Sequence, residues 1–396
     1  MNEFLPAPAR RHPALRIATE IAVGLIGVAF IVCALAVGQR WLDRHFLPSF
    51  FISREMHVRL ETAARVVVAT IGAVLALVVR PRIGRLAGHA PMTIVNAVIA
   101  AVLALAAGGL ALRWTHVQPA AWLFANQEPL RQRDQALGWT LVPSRVGHNL
   151  IGGRSLDYAI DPSGFRVRRL DEPVDLARPT VLFTGESVMF GEGLTWDETV
   201  PARVAALTGV QSANLAVHGY GSDQAYLRLM TELPRFRRPV AIVSLFITAL
   251  FERNLEDDRP HLGPGLVPMP PERRGRLGSL VMIFAPYRTD RDVDDGVAVT
   301  RDVLRATIRA ASDRQATAVI VVPQIGHESD VERSLRKRIL DDAAIPYMWI
   351  PLGAEARIAG DSHPNAGAAQ VIAEAITARL RQAGTGLAMN PAGSPP

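Results

Sequence analysis

Long uncharged runs mark the N-terminal part of the chain. Residues 21–37 and 90–112 carry no charged side chain, and such runs are typical of helices that cross the hydrocarbon core of a bilayer. A third run, residues 66–79, reaches spanning length only if residues 62–65 continue it, with Arg65 extending to the interface. We expect three transmembrane helices. The alternative, a buried hairpin of a soluble domain, is disfavoured because so much uncharged length needs an apolar solvent.

Arginine placement predicts the orientation, because cytoplasmic loops are enriched in basic residues. Six arginines lie before the first run or between the second and third: Arg10, Arg11, Arg16, Arg80, Arg82 and Arg85. Five lie on the opposite side: Arg40, Arg44, Arg54, Arg59 and Arg113. This bias favours an inner (plasma) membrane protein with an extracytoplasmic C-terminal domain. Two spans would instead leave that domain inside, so the second run decides the compartment.

A cleaved signal peptide is an alternative for the first run, because the letters ALA at 34–36 resemble a cleavage site. Cleavage there would also export the chain, and the two later runs would still hold it in the membrane.

From residue 179 the pattern changes to short apolar strands alternating with amphipathic helices. The predicted strands are 180–184, 212–216, 240–246, 316–322 and 346–350. The predicted helices are 199–207, 223–233, 297–311, 331–341 and 365–381. This alternation predicts an α/β domain with a parallel sheet covered on both faces, whose functional site lies at the carboxyl ends of the strands.

These patterns predict four segments. Residues 1–116 form the membrane region, and 117–178 a lead-in segment of short strands that packs on the main domain. Residues 179–383 form the α/β domain, with an irregular insertion at 256–276 rich in Pro, Gly and Arg. Residues 384–396 read as a disordered tail.

Charge and cysteine content exclude some classes of function. The net charge is +6, but the arginines are scattered and form no basic stripe, so we expect no nucleic-acid partner. Cys33 is the one cysteine, which rules out an intrachain disulfide and a cysteine-based metal site.

Ser187 is the first candidate for chemistry. It stands in VLFTGESVMFGEG, directly after the first predicted strand of the sheet, where Gly185 allows a sharp turn. A serine at this place is also common in ordinary turns, so the sequence around it does not by itself establish a nucleophile.

A base and its orienting carboxylate are available near the C-terminus. In GDSHPNAGAAQVIAEAI, Asp361 and His363 precede the last predicted helix. A nucleophilic serine needs a base, and the base needs a partner that fixes its tautomer. The alternative is a pair of helix-capping residues, since Pro364 suits the first turn of a helix.

An oxyanion donor is available after the second predicted strand. In SANLAVHGYGSDQ, the amide of Gly219 can stabilise negative charge beside the serine. The alternative is a plain loop leading into a helix.

Together, FTGESVMFGEG, NLAVHGYGSDQ and DSHPNAGAAQVIAEAI resemble the SGNH (GDSL-type) hydrolase superfamily over roughly residues 138–381. The resemblance implies a three-layer α/β/α, flavodoxin-like fold, with Ser187 as nucleophile and His363 and Asp361 completing the triad. It implies an oxyanion hole formed by the amides of Ser187 and Gly219, and Glu186 stands where aspartate is usual. LGWTLVPS and DPSGFR are similar to the lead-in of envelope-associated members.

One family block departs from the pattern. The third block normally carries an asparagine whose side chain donates to the oxyanion, but alignment through FERN puts Ala249 and Leu250 at that pair. Asn254 comes about a helical turn later. Loss of one donor lowers the rate by about 10²–10³-fold. The two amides alone, or another donor such as Thr248, would have to serve.

The function implied is a membrane-anchored serine esterase or O-acyltransferase. It would act on an acyl ester, with an envelope polysaccharide as the expected carrier, and would need no metal or organic cofactor. The alternative is a weak or inactive SGNH-like protein that binds a glycan or a partner. A transporter is disfavoured because the apolar runs carry no ionisable residue near their centres.

Overall fold

A computed structural model describes residues 12–47, 50–52, 54–114, 130–272 and 286–384. The chain forms two compact units. The tail predicted for 384–396 lies, after Gly384, outside the described residues, as do residues 115–129 of the predicted membrane and lead-in segments.

The first unit is helical. Its helices are α1 Pro13–Ala36, α2 Gln39–His45, α3 Arg54–Val74, α4 Arg80–His89 and α5 Pro91–Trp114. A turn of π-helix, Leu75–Val79, joins α3 to α4. Among the described residues, three stretches are long and apolar enough to cross a membrane, with mean hydropathies of 2.3, 2.2 and 2.0: Pro13–Ala36, Arg54–His89 and Pro91–Gly108.

Small residues bring α1 and α3 together. A Cβ added to Gly27 would lie 2.6 Å from the carbonyl oxygen of Gly72, so only glycine permits this approach. Arg65 Nε donates to the carbonyl of Ala34, at 2.9 Å, at the end of α1. The predicted second span is therefore part of a longer helix whose arginine binds the neighbouring helix end.

The second unit is built on an eight-stranded sheet with the order β12-β11-β8-β6-β7-β5-β4-β3. These strands are β3 Arg145–Ile151, β4 Arg154–Ile160, β5 Arg166–Val167, β6 Pro179–Thr184, β7 Gln211–Asn214, β8 Arg238–Leu245, β11 Thr317–Ile325 and β12 Met348–Leu352. Two short hairpins complete the strands: β1 Arg131–Asp134 with β2 Gly138–Leu141, and β9 His261–Gly263 with β10 Val267–Met269.

Five strands are parallel: β6, β7, β8, β11 and β12. In chain order they lie 2-1-3-4-5, the flavodoxin-like order, in which sites form at the carboxyl edge. The predicted mostly parallel α/β fold is confirmed. The lead-in strands β3 to β5 continue the same sheet antiparallel, with Arg166 of β5 paired to Asn214 of β7, and so cover the edge strand.

Helices cover both faces of this sheet. They are α6 Ser187–Phe190, α7 Val200–Thr208, α8 Ser222–Glu232, α9 Asp290–Asp313, α10 Asp330–Arg336 and α11 Ala366–Gln382. Alternate strand residues enter separate apolar clusters: Val181 and Phe183 pack with α7 and α11, whereas Leu182 packs on the side of α8 and α9. This alternation produces the three layers.

The described part of the predicted irregular insertion contains regular structure. Residues 256–272 contain the β9–β10 hairpin, and Arg259 is buried there, where both its terminal nitrogens donate to Asp223 at 2.9 Å. A paired buried arginine of this kind gives a proline-rich loop a fixed anchor, which composition does not reveal.

Candidate active site

Ser187 lies directly after the carboxyl end of β6. Gly185, with φ +153, makes the turn, and a Cβ there would lie 3.1 Å from the Cβ atoms of Leu245 and Met189. Glu186 caps the short helix α6 by accepting from Val188 N–H at 2.8 Å. The turn therefore points one short helix, and Ser187 at its start, to the carboxyl edge of the sheet.

His363 lies between β12 and α11. Asp361 Oδ1 accepts from both the backbone N–H of His363, at 2.7 Å, and its Nδ1, at 2.6 Å. The backbone N–H of Ile358 donates to the carbonyl of His363 at 2.9 Å, which fixes the loop from its other side. With Nδ1–H held by the carboxylate, Nε2 of a neutral imidazole is the acceptor.

The two segments meet, although 176 residues separate them. His363 Nε2 lies 2.9 Å from Ser187 Oγ, and both residues are 6% exposed. The structure thus brings together Ser187, His363 and Asp361, in the order and at the hydrogen-bonding distances that acyl transfer by a serine requires.

Acidic neighbours favour the charged form of the His363 imidazole. Burial disfavours its charged form, but the hydrogen bond to Asp361 and the field of Glu192 outweigh burial, and the pKa of His363 is raised. The same hydrogen bond lowers the pKa of Asp361. Burial raises the pKa of Glu186, whose Oε2 also accepts from Ser187 Oγ at 2.8 Å. The serine hydroxyl thus has two acceptors within reach.

Gly219, the predicted oxyanion glycine, lies in the loop after β7 with φ +85. Val217 N–H donates to the carbonyl of Gly185 at 3.3 Å and ties this loop to the turn before Ser187. Within the described part of the chain, neither the N–H of Ser187 nor that of Gly219 donates a hydrogen bond to the protein. Both amides are therefore available to an oxyanion.

The third family block, which departs from the usual pattern, offers no side-chain amide at the expected position. Ala249 is half-buried and Leu250 lies in the core. Asn254 is committed to structure: Nδ2 donates to Thr300 Oγ1 at 2.9 Å, and Oδ1 accepts from Ser222 N–H at 2.7 Å. Thr248 is buried, and its Oγ1 has no partner among the described residues.

Arg166 holds the loop that follows Ser187. It is fully buried and donates to the carbonyls of Phe190, Gly191 and Leu194 at 2.6, 2.8 and 2.7 Å. Burial lowers the pKa of this guanidinium to about 10. Its plane lies over the ring of Tyr158 at 4.4 Å. The DPSGFR segment of the lead-in thus supplies a fixed support beneath the site.

Sequence reasoning missed an aromatic wall of the site. Phe50 and Phe51 precede α3 in the chain, yet their ring centroids lie 5.9 and 5.8 Å from that of His363, each edge to face. Phe50 is 4% exposed, and Arg357 lies 4.9 Å above it. Phe50 and Phe51 reach His363 from a distant part of the chain, and the hydrophobic pattern around them does not indicate this contact.

The largely buried carboxylate of Glu192 lies against the imidazole of His218. Glu192 Oε2 lies 3.3 Å from His218 Nδ1, and Glu192 N–H donates to the carbonyl of Ser187 at 2.9 Å. Burial opposes its charge, but His218 and His363 outweigh burial and lower the pKa of Glu192. This negative charge favours the protonated form of His363.

Among the described residues, one group has the ligand types for a metal ion. Asp43, His57 and Glu61 of the first unit place three donor atoms within 4.8 Å of one another. Arg54 already donates to both oxygens of Asp43, at 2.6 and 2.5 Å. A cation would have to displace this guanidinium, which makes the group a poor metal site.

No family model matches the sequence, and no curated protein matches it significantly. Solved structures are similar to parts of it. An acetyl xylan esterase from the rumen bacterium Butyrivibrio proteoclasticus is 14% identical, with 54% of this chain and 67% of that chain covered and a TM-score of 0.33.

Two further structures have comparable likeness. A lipolytic protein of the G-D-S-L family from Desulfitobacterium hafniense is 9% identical, with 51% of this chain and 98% of that chain covered and a TM-score of 0.32. A salicylyl-acyltransferase from a tetracycline biosynthetic pathway is 15% identical, with 54% and 56% covered and a TM-score of 0.30. Each of these likenesses covers about half of this chain at a TM-score of 0.33 or less.

Proposed function

We propose that this protein is a membrane-anchored serine esterase or O-acyltransferase that acts on an acyl ester of an envelope carbohydrate. The observation that carries the proposal is the 2.9 Å contact between Ser187 Oγ and His363 Nε2, continued at 2.6 Å to Asp361. The three apolar helical stretches support the membrane anchor. We infer a sugar ester as the substrate from the expected location in the cell envelope.

The first half-reaction acylates the serine. His363 Nε2 takes the proton of Ser187 as Oγ bonds to the ester carbonyl carbon, while Asp361 stabilises the imidazolium. The amides of Ser187 and Gly219 hold the oxyanion. Collapse of this intermediate breaks the ester bond, and the alcohol leaves with the proton from His363.

The second half-reaction releases the acyl group. Water, or a sugar hydroxyl, gives its proton to His363 and attacks the acyl-enzyme, and Ser187 leaves with that proton. Water gives the free acid and makes the protein an esterase. A sugar hydroxyl gives a new ester and makes it a transferase.

Labelling with a fluorophosphonate probe tests the nucleophile. We expect covalent labelling of the detergent-solubilised full chain, loss of label in Ser187→Ala, and retention in Ser222→Ala, which changes the serine at the start of α8. An unlabelled wild type would overturn the enzyme and favour the binding-protein alternative. An acetyl-ester assay with and without a sugar acceptor separates hydrolysis from transfer.

A further inference from the structure

The loop of Gly219 is a tight turn whose own hydrogen bond does not involve its central peptide. Tyr220 N–H donates to the carbonyl of Val217 at 3.3 Å, and Gly219, the third residue of this turn, has φ +85. These are features of a type II turn, in which glycine suits the third position. The central peptide joins His218 to Gly219, and it carries the N–H that we assign to the oxyanion hole.

The orientation of this central peptide decides where its N–H points. Turns of type I and type II differ by rotation of the central peptide through roughly half a turn, and glycine permits both. Since a peptide is planar, its C=O and N–H point in opposite directions, so such a rotation would reverse the N–H of Gly219. A hydrogen bond from outside the turn to the carbonyl of His218 would hold one orientation.

Trp139 supplies that hydrogen bond. Its Nε1 donates to the carbonyl of His218 at 3.3 Å, on the opposite side of the peptide from the N–H of Gly219. The indole lies against the glycine, because a Cβ added to Gly219 would lie 3.2 Å from Cζ2 of Trp139. On the next peptide, Arg253 Nη1 donates to the carbonyl of Gly219 at 3.0 Å. Both peptides that flank the glycine are therefore held from outside the turn.

The β1–β2 hairpin that carries Trp139 is fixed to α8 and to the turn before it. Tyr220 Oη donates to the carbonyl of Trp139 at 2.7 Å, and Gln224 Nε2 donates to the carbonyl of Leu137 at 2.6 Å. The indole is half-buried and packs against the apolar cluster around β6. The donor thus has a fixed place, as preorganised stabilisation of a developing charge requires.

We propose that Trp139 is a positioning residue for the oxyanion hole, acting through the peptide between His218 and Gly219. This role rests on the proposed function. A donor on the carbonyl also strengthens the N–H of the same peptide, since linked hydrogen bonds polarise one another. The lead-in hairpin thereby supports one of the two amides on which the oxyanion hole depends, because Ala249 and Leu250 offer no side-chain donor.

Kinetics of the full chain in detergent test this role with two variants. Replacement of Trp139 by benzothienylalanine keeps both fused rings and puts sulfur in the place of the indole N–H, whereas Trp139→Phe removes the donor with part of the ring. We expect kcat for an acetyl ester to fall about tenfold in both variants, near the upper end of what one neutral hydrogen bond contributes, with KM unchanged. If Trp139→Phe fails to fold, the benzothienylalanine protein alone decides.

A trifluoromethyl ketone reports on the oxyanion itself. Ser187 Oγ adds to its carbonyl carbon and gives its proton to His363, and the ketone oxygen takes the negative charge of the tetrahedral intermediate. Its inhibition constant should rise about as much as kcat falls, whereas that of the corresponding alcohol, which forms no adduct, should stay the same. Trp349→Phe is the matched control, because it removes a half-buried indole of β12 that packs in a different apolar cluster, and it should change none of these constants.

The outcomes separate this role from the proposed function. With an active, fluorophosphonate-labelled wild type, an unchanged kcat in the benzothienylalanine protein overturns the positioning role alone. So does a lower kcat with an unchanged inhibition constant for the ketone. Equal loss of affinity for the ketone and the alcohol indicates a general disturbance of the site and also contradicts the role. A wild type that neither hydrolyses esters nor takes the label overturns the enzyme, and the role of Trp139 with it.

Discussion

Glu186 accepts a hydrogen bond from Ser187, with its Oε2 2.8 Å from the serine Oγ. The serine hydroxyl has one proton, and in the proposed mechanism His363 receives it. When the hydroxyl proton points to Glu186, Nε2 of a protonated His363 can donate to Oγ instead. The carboxylate therefore stabilises a resting arrangement and favours the charged imidazole, to which it contributes a pKa-raising field.

Replacement of Glu186 by Gln should shift the pH dependence. An amide has no charge to favour the imidazolium, so the pKa of His363 should fall and the acid limb of kcat/KM should move to lower pH. The amide oxygen can still accept from Val188 N–H, which preserves the helix cap. Glu172→Gln, which changes an exposed carboxylate, is the control. An acid limb of Glu186→Gln that moves to higher pH would contradict the effect of Glu186 on the pKa of His363.

The acid limb of wild-type activity should lie at a higher pH than the pKa of an unperturbed histidine would give. Only neutral His363 can accept the serine proton, and its pKa is raised, so the half-maximal point of kcat/KM should lie above about 6.5. The same shift stabilises the fold below the pKa of the unfolded chain, and this contribution is lost as the pH rises through the folded pKa.

Asp361→Asn should reduce kcat by about 10⁴-fold, because the imidazole loses the partner that fixes its tautomer. The remaining acid limb should move to lower pH. His148 and Asp157 form an exposed pair with the same 2.6 Å contact away from the site, so Asp157→Asn is a matched control. Equal rates in the two variants would rule out the role of Asp361.

Gly219→Ala should lower kcat by on the order of 10²-fold, because the backbone would have to move and take its amide with it. The new Cβ would meet Arg131 and Trp139 at 3.2 Å. Gly209 has a similar φ of +69 and open space around it, so Gly209→Ala carries the backbone strain alone. A similar loss of kcat in both variants would mean that strain explains the effect.

Phe50→Ala should reduce both the stability of the fold around the site and kcat. This ring is buried against His363, and removal of a buried phenylalanine lowers the free energy of unfolding by about 3–5 kcal/mol in a closed core. Phe51→Ala, at a 45% exposed position, should lower Tm much less. Equal Tm values for Phe50→Ala and wild type would show that the packing contributes little.

Reporter fusions test the orientation. Alkaline phosphatase fused after Gly384 should be active, because three spans place the C-terminus outside, whereas a fusion after Arg85 should be inactive. Activity of the Arg85 fusion with an inactive C-terminal fusion would reverse the topology and contradict an envelope substrate.

Local patterns were sufficient to predict the parallel sheet and its site edge. Strand β6 is predicted at 180–184 and found at Pro179–Thr184, and the last helix is predicted at 365–381 and found at Ala366–Gln382. Buried parallel strands are short apolar runs, and amphipathic helices repeat every three to four residues, so both have strong local signals. Ser187 and His363 stand at the ends of these elements, but only the three sequence blocks taken together single them out as candidates.

The surroundings of the site have no such signal. Phe50 and Arg253 reach it through contacts between distant parts of the chain, and nothing in FLPSFFIS or FERN indicates them. The same is true of Arg259, which is buried in a segment whose composition predicts an irregular loop. Side-chain contacts across the fold decide these positions, and periodicity within one element cannot report them.

The buried guanidinium of Arg166 has a consequence for dissecting the protein. Arg166 lies in β5, before the parallel strands begin, yet it donates hydrogen bonds to three carbonyls of the loop after Ser187. A fragment that starts at β6 would remove one donor from each of these carbonyls, although those of Phe190 and Gly191 keep a second donor. A fragment of the second unit must therefore keep the lead-in strands from β1 onward, whose Leu141 lies in the same apolar cluster as Val181, and it would still lack Phe50.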